Sequence, residues 1–315
     1  TSTPAVVNVT NAPLPILTGT GISDTASSTG VVSDTLTICP GELVNFSASG
    51  GVSYRFLKDN IEVQARSAAN TYSSTLLLVN ESITVEVFDA LAGGCSVESE
   101  EIVIAYSPIP VVGLSSTAVA DTYCVGDDIT FTGTSNVAGS QYEFFIDGTS
   151  SAGPSTTTTF TALAGAISDG STVTVVVTTP AGCSSTATLT MIENQVNGGV
   201  VDTVSSTICI NDVPAAVTIS SDTTSGTASY QWQVSTDNVT YTNISGAIGT
   251  SATYTPTAGI ATTTYYRRIT ISTLNGVACE ATSTPAVVNV TIAPLPILTG
   301  TGISDTAGSF GVVSY

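Results

Sequence analysis

The stretch TSTPAVVNVTNAPLPILTGTGISDTASSTGVVSD, residues 1–34, returns as TSTPAVVNVTIAPLPILTGTGISDTAGSFGVVSY, residues 282–315. The offset in numbering is 282 − 1 = 281, and only four positions differ. Near-identity at a long fixed spacing, loop residues included, is typical of a tandem array. We therefore interpret residues 1–281 as one repeat, followed by the start of the next, and we expect both ends to be cut across domains.

Shorter spacings divide the repeat into three similar parts. Three cysteines that each follow a short apolar strand pattern lie at 39, 124 and 209, so that 124 − 39 = 85 and 209 − 124 = 85. Pairs of the form Tyr-x-(Phe/Trp) begin at 54, 142 and 230, so that 142 − 54 = 88 and 230 − 142 = 88. Each part holds about seven short alternating runs separated by Gly, Pro, Asn and Asp turns, which is the pattern of an Ig-like β-sandwich.

The predicted fold class is therefore all-β, with tandem Ig-like sandwiches in a linear array. Pro-bearing linkers mark the junctions and favour stiff connections. No segment shows helical periodicity over ten or more residues. The predicted boundaries are 1–12 for the last strand of a preceding domain, 16–106, 108–193 and 194–291 for three Ig-like domains, and 292–315 for the start of the next repeat.

Composition excludes several classes of function. The sequence has 5 Lys and Arg against 24 Asp and Glu, a formal net charge of −19 and no His. Nucleic acid and anionic membranes are bound through Lys and Arg, so neither is an expected partner. No apolar run reaches the length of a membrane span. Charged residues make up 9% of the chain, so ion pairs contribute little to its stability.

The sequence also gives little sign of catalysis. Without His there is no His-based triad and no imidazole ligand for a metal. The acidic residues Asp59, Asp127, Asp128 and Asp147 lie in predicted turns, where Asp usually accepts local hydrogen bonds. We expect no enzyme activity, no metal and no cofactor; a carboxylate-rich calcium site between domains is the alternative.

The strand aromatics are predicted to be core residues rather than sugar-stacking platforms, because they alternate along strands. Trp232 and the pair Tyr265–Tyr266 are the expected centre of the third core. The other residues of this group are Tyr54, Phe56, Tyr142, Phe144 and Tyr230.

Six cysteines without metal-binding spacing favour an oxidising, extracellular setting. The favoured pairing lies within domains, as Cys39–Cys95, Cys124–Cys183 and Cys209–Cys279. The alternative pairing joins successive domains, as Cys39–Cys183 and Cys124–Cys279, and would arise if the two cysteines of one domain lie at opposite poles. Free or catalytic thiols are the third possibility.

The phrases YQWQVSTDNVTYTNISGA, residues 230–247, and ATYTPTAGIATTTYYRRIT, residues 252–270, resemble a known group. They are similar to the Ig-like and PKD-like repeats of very large Bacteroidota surface proteins, which include gliding-motility adhesins exported by the type IX secretion system. The resemblance implies an extracellular, repetitive role at the cell surface. It does not name a ligand.

The same resemblance implies O-glycosylation, since that phylum modifies Asp-(Ser/Thr)-(small or apolar) triplets. Three of the matching triplets precede predicted domain cores. The candidate threonines are Thr25, Thr35, Thr203, Thr223 and Thr306.

The sequence thus predicts a structural segment of an extracellular filament or adhesin stalk, a rigid spacer for a distal adhesive tip. Its expected partners are adjacent repeats of the same chain or like chains, with surface glycans bound through parts outside this sequence. One alternative is a glycan- or surface-binding Ig-like module. Another is a subunit that polymerises by strand exchange, in which residues 1–12 complete a neighbour's third domain.

Overall fold

The protein is described as a computed structural model covering residues 14–22, 24–29, 32–89, 95–202, 206–292, 294, 297–301 and 306–310. The strand predicted for residues 1–12 lies outside this part. Within it, regular structure consists of β-strands and one short 3₁₀ turn, Ala247–Thr250. The predicted all-β class is confirmed.

The strands are numbered in chain order. The strands up to residue 106 are β1 (Ile16–Thr20), β2 (Thr25–Thr29), β3 (Asp34–Ile38), β4 (Val44–Ser49), β5 (Ser53–Lys58), β6 (Ile61–Ser67), β7 (Thr71–Ser74), β8 (Ser82–Phe88), β9 (Ser96–Glu98) and β10 (Ile102–Tyr106). The strands from 112 to 193 are β11 (Val112–Ser116), β12 (Thr122–Tyr123), β13 (Ile129–Ser135), β14 (Gln141–Ile146), β15 (Thr149–Ser155), β16 (Thr159–Ala162), β17 (Thr172–Thr178), β18 (Ser184–Thr190) and β19 (Ile192–Glu193). The remaining strands are β20 (Val196–Asn197), β21 (Val200–Val201), β22 (Ser206–Cys209), β23 (Ile219–Ser220), β24 (Thr223–Thr224), β25 (Thr227–Ser235), β26 (Thr242–Asn243), β27 (Thr264–Leu274), β28 (Val277–Thr282), β29 (Ala286–Thr291), β30 (Ile297–Thr301) and β31 (Thr306–Phe310).

The chain forms two compact units. Unit 1 comprises Thr1–Ser115, Thr130–Thr161 and Thr172–Leu189, and unit 2 comprises Ser116–Ile129, Ala162–Ser171 and Thr190–Tyr315. The segment predicted as the second domain, 108–193, contributes to both. The three predicted domain boundaries stay a prediction.

Among the described residues up to 106, unit 1 contains a two-layer sandwich. One sheet has the strand order β2-β1-β4-β7, and the other has the order β3-β10-β8-β5-β6, with β9 added beside β8. Inward residues of both sheets, such as Phe46 and Phe56, share one fully buried core. The alternation of buried and exposed positions along β4 and β8 produces these two faces.

The rest of unit 1 is built from the sheets β11-β13-β16 and β15-β14-β17-β18. Phe160 packs on Phe131 and Phe144 with ring centroids 6.4 and 5.7 Å apart. Phe144 and Tyr142 are buried, as predicted from their alternation.

Unit 2 centres on the sheet β22-β29-β27-β25-β26, with β28 paired to β27. Trp232 on β25 and Tyr266 on β27 are buried in its core, and Tyr254 lies between them with centroids 5.9 and 5.3 Å away. The prediction for Trp232 and Tyr266 is confirmed. Tyr265 is half-buried on the opposite face of β27, because adjacent strand residues point to opposite sides.

One strand pairing recurs in all three sequence segments. The strand leading to each first cysteine pairs in parallel with the last strand of its segment: β3 with β10, β12 with β19 and β22 with β29. The other strand pairs of the sandwich up to residue 106 are antiparallel, and its two sheets have the Ig-like topology that the sequence predicts.

The hairpin β30–β31 repeats the hairpin β1–β2. Ile16 pairs with Thr29 and Thr20 with Thr25, while Ile297 pairs with Phe310 and Thr301 with Thr306. Each position is shifted by 297 − 16 = 281, which is the offset found in the sequence. A second copy of the repeat therefore begins within the chain.

Candidate functional site

The first cysteine of each segment begins a tight turn. The Cys39 carbonyl accepts a hydrogen bond from the Glu42 amide at 3.1 Å, and the Cys39 amide donates to Glu42 Oε2 at 2.8 Å. Gly41 has φ +79°, a left-handed conformation that glycine adopts without steric cost. The turn therefore fixes the backbone of Cys39 at the end of β3.

The same turn recurs at Cys124 and Cys209. Their carbonyls accept from the amides of Asp127 and Asp212 at 3.1 Å in both cases. Their amides donate to the same aspartates at 2.9 and 3.1 Å. The predicted local role of Asp127 is confirmed, and the acid three residues after the cysteine is a recurring part of the site.

The second cysteines lie beside other turns. Cys183 is buried, and its carbonyl accepts from the Thr179 amide at 2.8 Å across the Pro180-Ala181-Gly182 turn. Cys279 is buried on β28, opposite Ser272 of β27. Both thus lie at backbone positions set by hydrogen bonding.

Two disulfides join these positions. Cys39 bonds Cys183 and Cys124 bonds Cys279, each with a Cα–Cα distance of 5.5 Å. Each bond spans successive sequence segments, with separations of 144 and 155 residues. The favoured pairing within domains is wrong, and the alternative pairing is the one observed.

The strand register explains why Cys39 cannot reach Cys95. Cys95 lies beside the Phe88 end of β8, because Ser96 pairs with Phe88. Cys39 follows Ile38, which pairs with Tyr106, beyond the Ser82 end of β8. The six residue steps between Phe88 and Ser82 alone span about 20 Å. A disulfide requires Cα atoms within about 7 Å.

Cys95 and Cys209 are exposed free thiols within the described residues. The structure thus brings together four of the six predicted disulfide cysteines. Cys209 on β22 pairs with Thr291 of β29, and Cys279 on β28 pairs with Ser272 of β27. Because Val288 of β29 pairs with Thr264 of β27, Thr291 is level with the position three residues before Thr264, which is eleven residues from Ser272 along the chain. The third predicted pair, Cys209–Cys279, is therefore excluded by the same geometry.

A buried amide near the second disulfide was not predicted from the sequence. Asn194 is fully buried, and its Nδ2 donates to the carbonyls of Ser272 and Val277 at 2.8 and 2.9 Å. Its Oδ1 accepts from the hydroxyls of Ser225 and Ser272 at 3.1 and 2.6 Å. The amide fixes the chain that enters the third segment to β27 and β28. A lone Asn in a polar junction carries no signal of this role.

A buried arginine also escaped prediction. Arg268 on β27 is 2% exposed, and its guanidinium pairs with Asp222 at 2.6 Å and donates to the Ala252 carbonyl at 2.7 Å. It also lies over the Tyr230 ring at 4.1 Å. Arg268 is therefore a structural element of the unit 2 core.

The candidate glycosylation residues occupy different settings. Thr25, Thr35 and Thr223 are exposed strand residues. The carboxylates before Thr25 and Thr35 accept hydrogen bonds from the threonine amides at 2.9 and 2.8 Å. Thr203 lies outside the described residues, and Thr306 begins β31. Glycosylation of these residues stays a prediction.

The turn carboxylates have structural partners. Asp59 and Asp147 accept hydrogen bonds from the amides of Ser82 and Thr172, and Asp128 accepts from the Ala164 amide, all at 2.8 Å. These contacts confirm the local role predicted for turn acids. In the described ranges, no group of three or more His, Cys, Asp or Glu side chains is arranged to hold a metal ion.

Burial raises the pKa of Tyr266 to about 12, with a smaller contribution from Tyr254. The folded state therefore retains the phenol proton at pH values above 10, the ordinary pKa of tyrosine being about 10. The contribution of this shift to folding stability is fully present below pH 10 and is lost as the pH rises toward 12. We expect unit 2 to lose about 2 kcal/mol more between pH 9 and 12 than a Tyr266→Phe variant does.

Guanidinium unfolding followed by the fluorescence of Trp232, the one tryptophan of the sequence, measures this loss. The exposed thiols Cys95 and Cys209 should be alkylated first, since thiolates exchange with disulfides at high pH. Equal losses for the two proteins would contradict the assignment to Tyr266.

Fold and site together define the class: an all-β protein of Ig-like sandwiches whose successive segments are joined by disulfides. In the part of the chain that the structure covers, no helix is both long and apolar enough to cross a bilayer. The disulfides favour an extracellular protein, because such bonds persist in oxidising compartments.

Residues 197–294 match a family described as Domain of unknown function (DUF8696). This match covers less than half of the chain. Comparison with curated proteins finds no match.

Comparison with solved structures finds similar chains at low sequence identity. The three N-terminal domains of the bacteriophage RB49 Highly Immunogenic Outer Capsid protein (Hoc) are 14% identical, with a TM-score of 0.41 over 81% of this chain and 96% of that one. Fibronectin(III)-like modules of Clostridium thermocellum CbhA are 13% identical, with a TM-score of 0.32 over 56% and 94%. The insect immune protein hemolin is 12% identical, with a TM-score of 0.30 over 86% and 80%.

Proposed function

We propose that the chain is a tension-bearing repeat segment of an extracellular filament or surface adhesin stalk. Its partners are then adjacent repeats, and it acts as a rigid spacer for an adhesive part elsewhere in the protein. The resemblance to giant Bacteroidota surface proteins supports a role in surface attachment or gliding. The observation that carries the proposal is the pair of disulfides joining successive segments.

The two disulfides close overlapping loops. The first loop runs from Cys39 to Cys183 and the second from Cys124 to Cys279. A tensile load passing from Cys39 to Cys279 therefore has a covalent shortcut: across the first bond, back along the backbone from Cys183 to Cys124, and across the second bond. The backbone part of this path has a sequence separation of 183 − 124 = 59, whereas the uninterrupted backbone has one of 279 − 39 = 240.

The shortcut limits how far the chain lengthens when its sandwiches unfold. At about 3.5 Å per extended residue, the shortcut reaches about 200 Å and the uninterrupted backbone about 840 Å. A spacer that holds an adhesive tip at a fixed distance benefits from this limit. A module selected only for ligand binding has no need of it.

Single-molecule pulling of the whole chain from its two ends tests the proposal. In the oxidised chain, the unfolded distance between Cys39 and Cys279 should be about 200 Å; after reduction it should be about 840 Å. Equal extension of the oxidised and reduced chains would overturn the tension-bearing role.

Two double variants provide matched controls. Without the first bond, in Cys39→Ala/Cys183→Ala, the shortest path has a sequence separation of 124 − 39 = 85, which extends to about 300 Å. Without the second bond, in Cys124→Ala/Cys279→Ala, the separation is 279 − 183 = 96, which extends to about 340 Å. Extensions of these intermediate lengths would show that each of the two observed bonds contributes to limiting the extension of the chain.

A further inference from the structure

Cys209 and Cys95 occupy the same structural positions as cysteines that are disulfide-bonded in this structure. Cys209 begins a turn of the same kind as those at Cys39 and Cys124, in which the cysteine amide donates to the carboxylate of the acid three residues later. The Cys95 carbonyl accepts from the Asp89 amide at 3.2 Å, as the Cys183 carbonyl accepts from Thr179. The two thiols therefore belong to a series of which two members are already bonded.

The bonded members follow one rule. In the first two segments, the turn cysteine bonds the last cysteine of the segment that follows. The segment after the one that holds Cys209 is the first segment of the next copy of the repeat. That copy begins within this chain, as the sequence and the β30–β31 hairpin show. Its equivalent of Cys95 lies at 95 + 281 = 376.

The spacing continues the observed series. The two disulfides span 144 and 155 residues. A bond from Cys209 to the equivalent of Cys95 in the next copy would have a sequence separation of 376 − 209 = 167. Both thiols are exposed, so a neighbouring copy can reach them.

We propose that Cys209 forms a disulfide with Cys95 of the following copy of the repeat. The two thiols lose two protons and two electrons, and an exchanging disulfide such as oxidised glutathione takes them up and becomes two thiols. The bond is an inter-repeat crosslink, the third member of the series.

Without this link, the residues between 279 and 320 lie outside every disulfide-closed loop. The two observed loops cover residues 39–183 and 124–279, and the next copy's first loop begins at 39 + 281 = 320. A loop from 209 to 376 overlaps both neighbours. Every residue along successive repeats would then lie inside at least one disulfide-closed loop. The inference deepens the proposed tension-bearing role and rests on it.

A tandem chain tests the link: residues 1–281 placed before the whole sequence, refolded in a glutathione redox buffer. With the link, thiol titration in guanidinium should find two free thiols per chain. A non-reducing peptide map should contain Cys209 of the first copy bonded to Cys95 of the second. Four free thiols, or a map without this crosslinked peptide, would overturn the proposal.

Matched variants identify the bond within the tandem chain. Cys209→Ala in the first copy should raise the thiol count to three, because it frees Cys95 of the second copy and leaves the other two thiols in place. Cys209→Ala in the second copy should lower the count to one, because that thiol has no following copy. Identical counts for the two variants would contradict the link. The proposed function would stand in that case, since the pulling experiment depends only on the two observed disulfides.

Discussion

Removing the second disulfide, in Cys124→Ala/Cys279→Ala, is expected to lower the free energy of unfolding of unit 2 by up to about 5 kcal/mol. The bond closes a loop of 155 residues, and the chain-entropy relation gives about this value for so long a loop. Cys279 is buried, so alanine also avoids placing a new polar group in its site. The loss approaches the whole stability of many domains.

Trp232 makes the measurement specific, because the only tryptophan of the sequence lies in the core of the same unit. Guanidinium unfolding followed by its fluorescence should show a lower midpoint for the variant. The matched control is Cys95→Ala/Cys209→Ala, which removes two exposed thiols and should change the free energy of unfolding by less than about 0.5 kcal/mol. A variant with the midpoint of the original chain would show that the bond constrains no part of the unfolded state.

The sandwich architecture was predictable because successive strand residues point to opposite faces of a sheet, so apolar and polar residues alternate along each strand. Tyr54, Phe56, Tyr142, Phe144 and Trp232 are buried where their alternation predicts. The turn role of Asp127 was also predictable, because Asp in a short polar run accepts backbone hydrogen bonds.

The disulfide pairing could not be read from the sequence. Loop entropy favours Cys39–Cys95 over Cys39–Cys183 by only about 0.8 kcal/mol, since the cost grows with the logarithm of loop length. Geometry therefore decides, and it depends on which end of β8 each cysteine meets. For Cys95 that end follows from the adjacent β8–β9 hairpin. For Cys39 it is set by the parallel pairing of β3 with β10, two strands far apart in sequence that no local pattern pairs.

The buried Arg268 was missed for a different reason. Arginine is almost never fully buried unless it is paired, so it is usually assigned to the surface. Along β27 the buried positions are Thr264, Tyr266, Arg268, Thr270 and Ser272. The inner face is thus unusually polar, and alternation alone points Arg268 inward and Arg267 outward. The partner Asp222 is distant in sequence, with a separation of 268 − 222 = 46, and only the fold brings it close.

Loss of the Asp222–Arg268 ion pair is the second change for which we expect a large decrease in stability. Asp222→Ala is expected to lower the free energy of unfolding of unit 2 by about 3 kcal/mol, because it leaves the Arg268 charge buried without its carboxylate. The side chain of Asp222 is 25% exposed, which places the expected loss at the lower end of the range for buried pairs. Trp232 again reports the transition, since its ring lies 5.9 Å from the guanidinium.

A double-mutant cycle separates pairing from packing. Arg268→Met keeps an apolar stem in the core, and Asp222→Ala/Arg268→Met removes both charges. We expect the double variant to be more stable than Asp222→Ala alone, because replacing a buried ion pair by apolar side chains is often close to neutral. Arg267→Met is the matched control on the other face of β27: its guanidinium stacks on Tyr241 at 3.8 Å, and we expect a loss below about 1 kcal/mol. If the losses of the two single variants simply add in the double variant, the charges are not coupled, and Arg268 stabilises the core by packing alone.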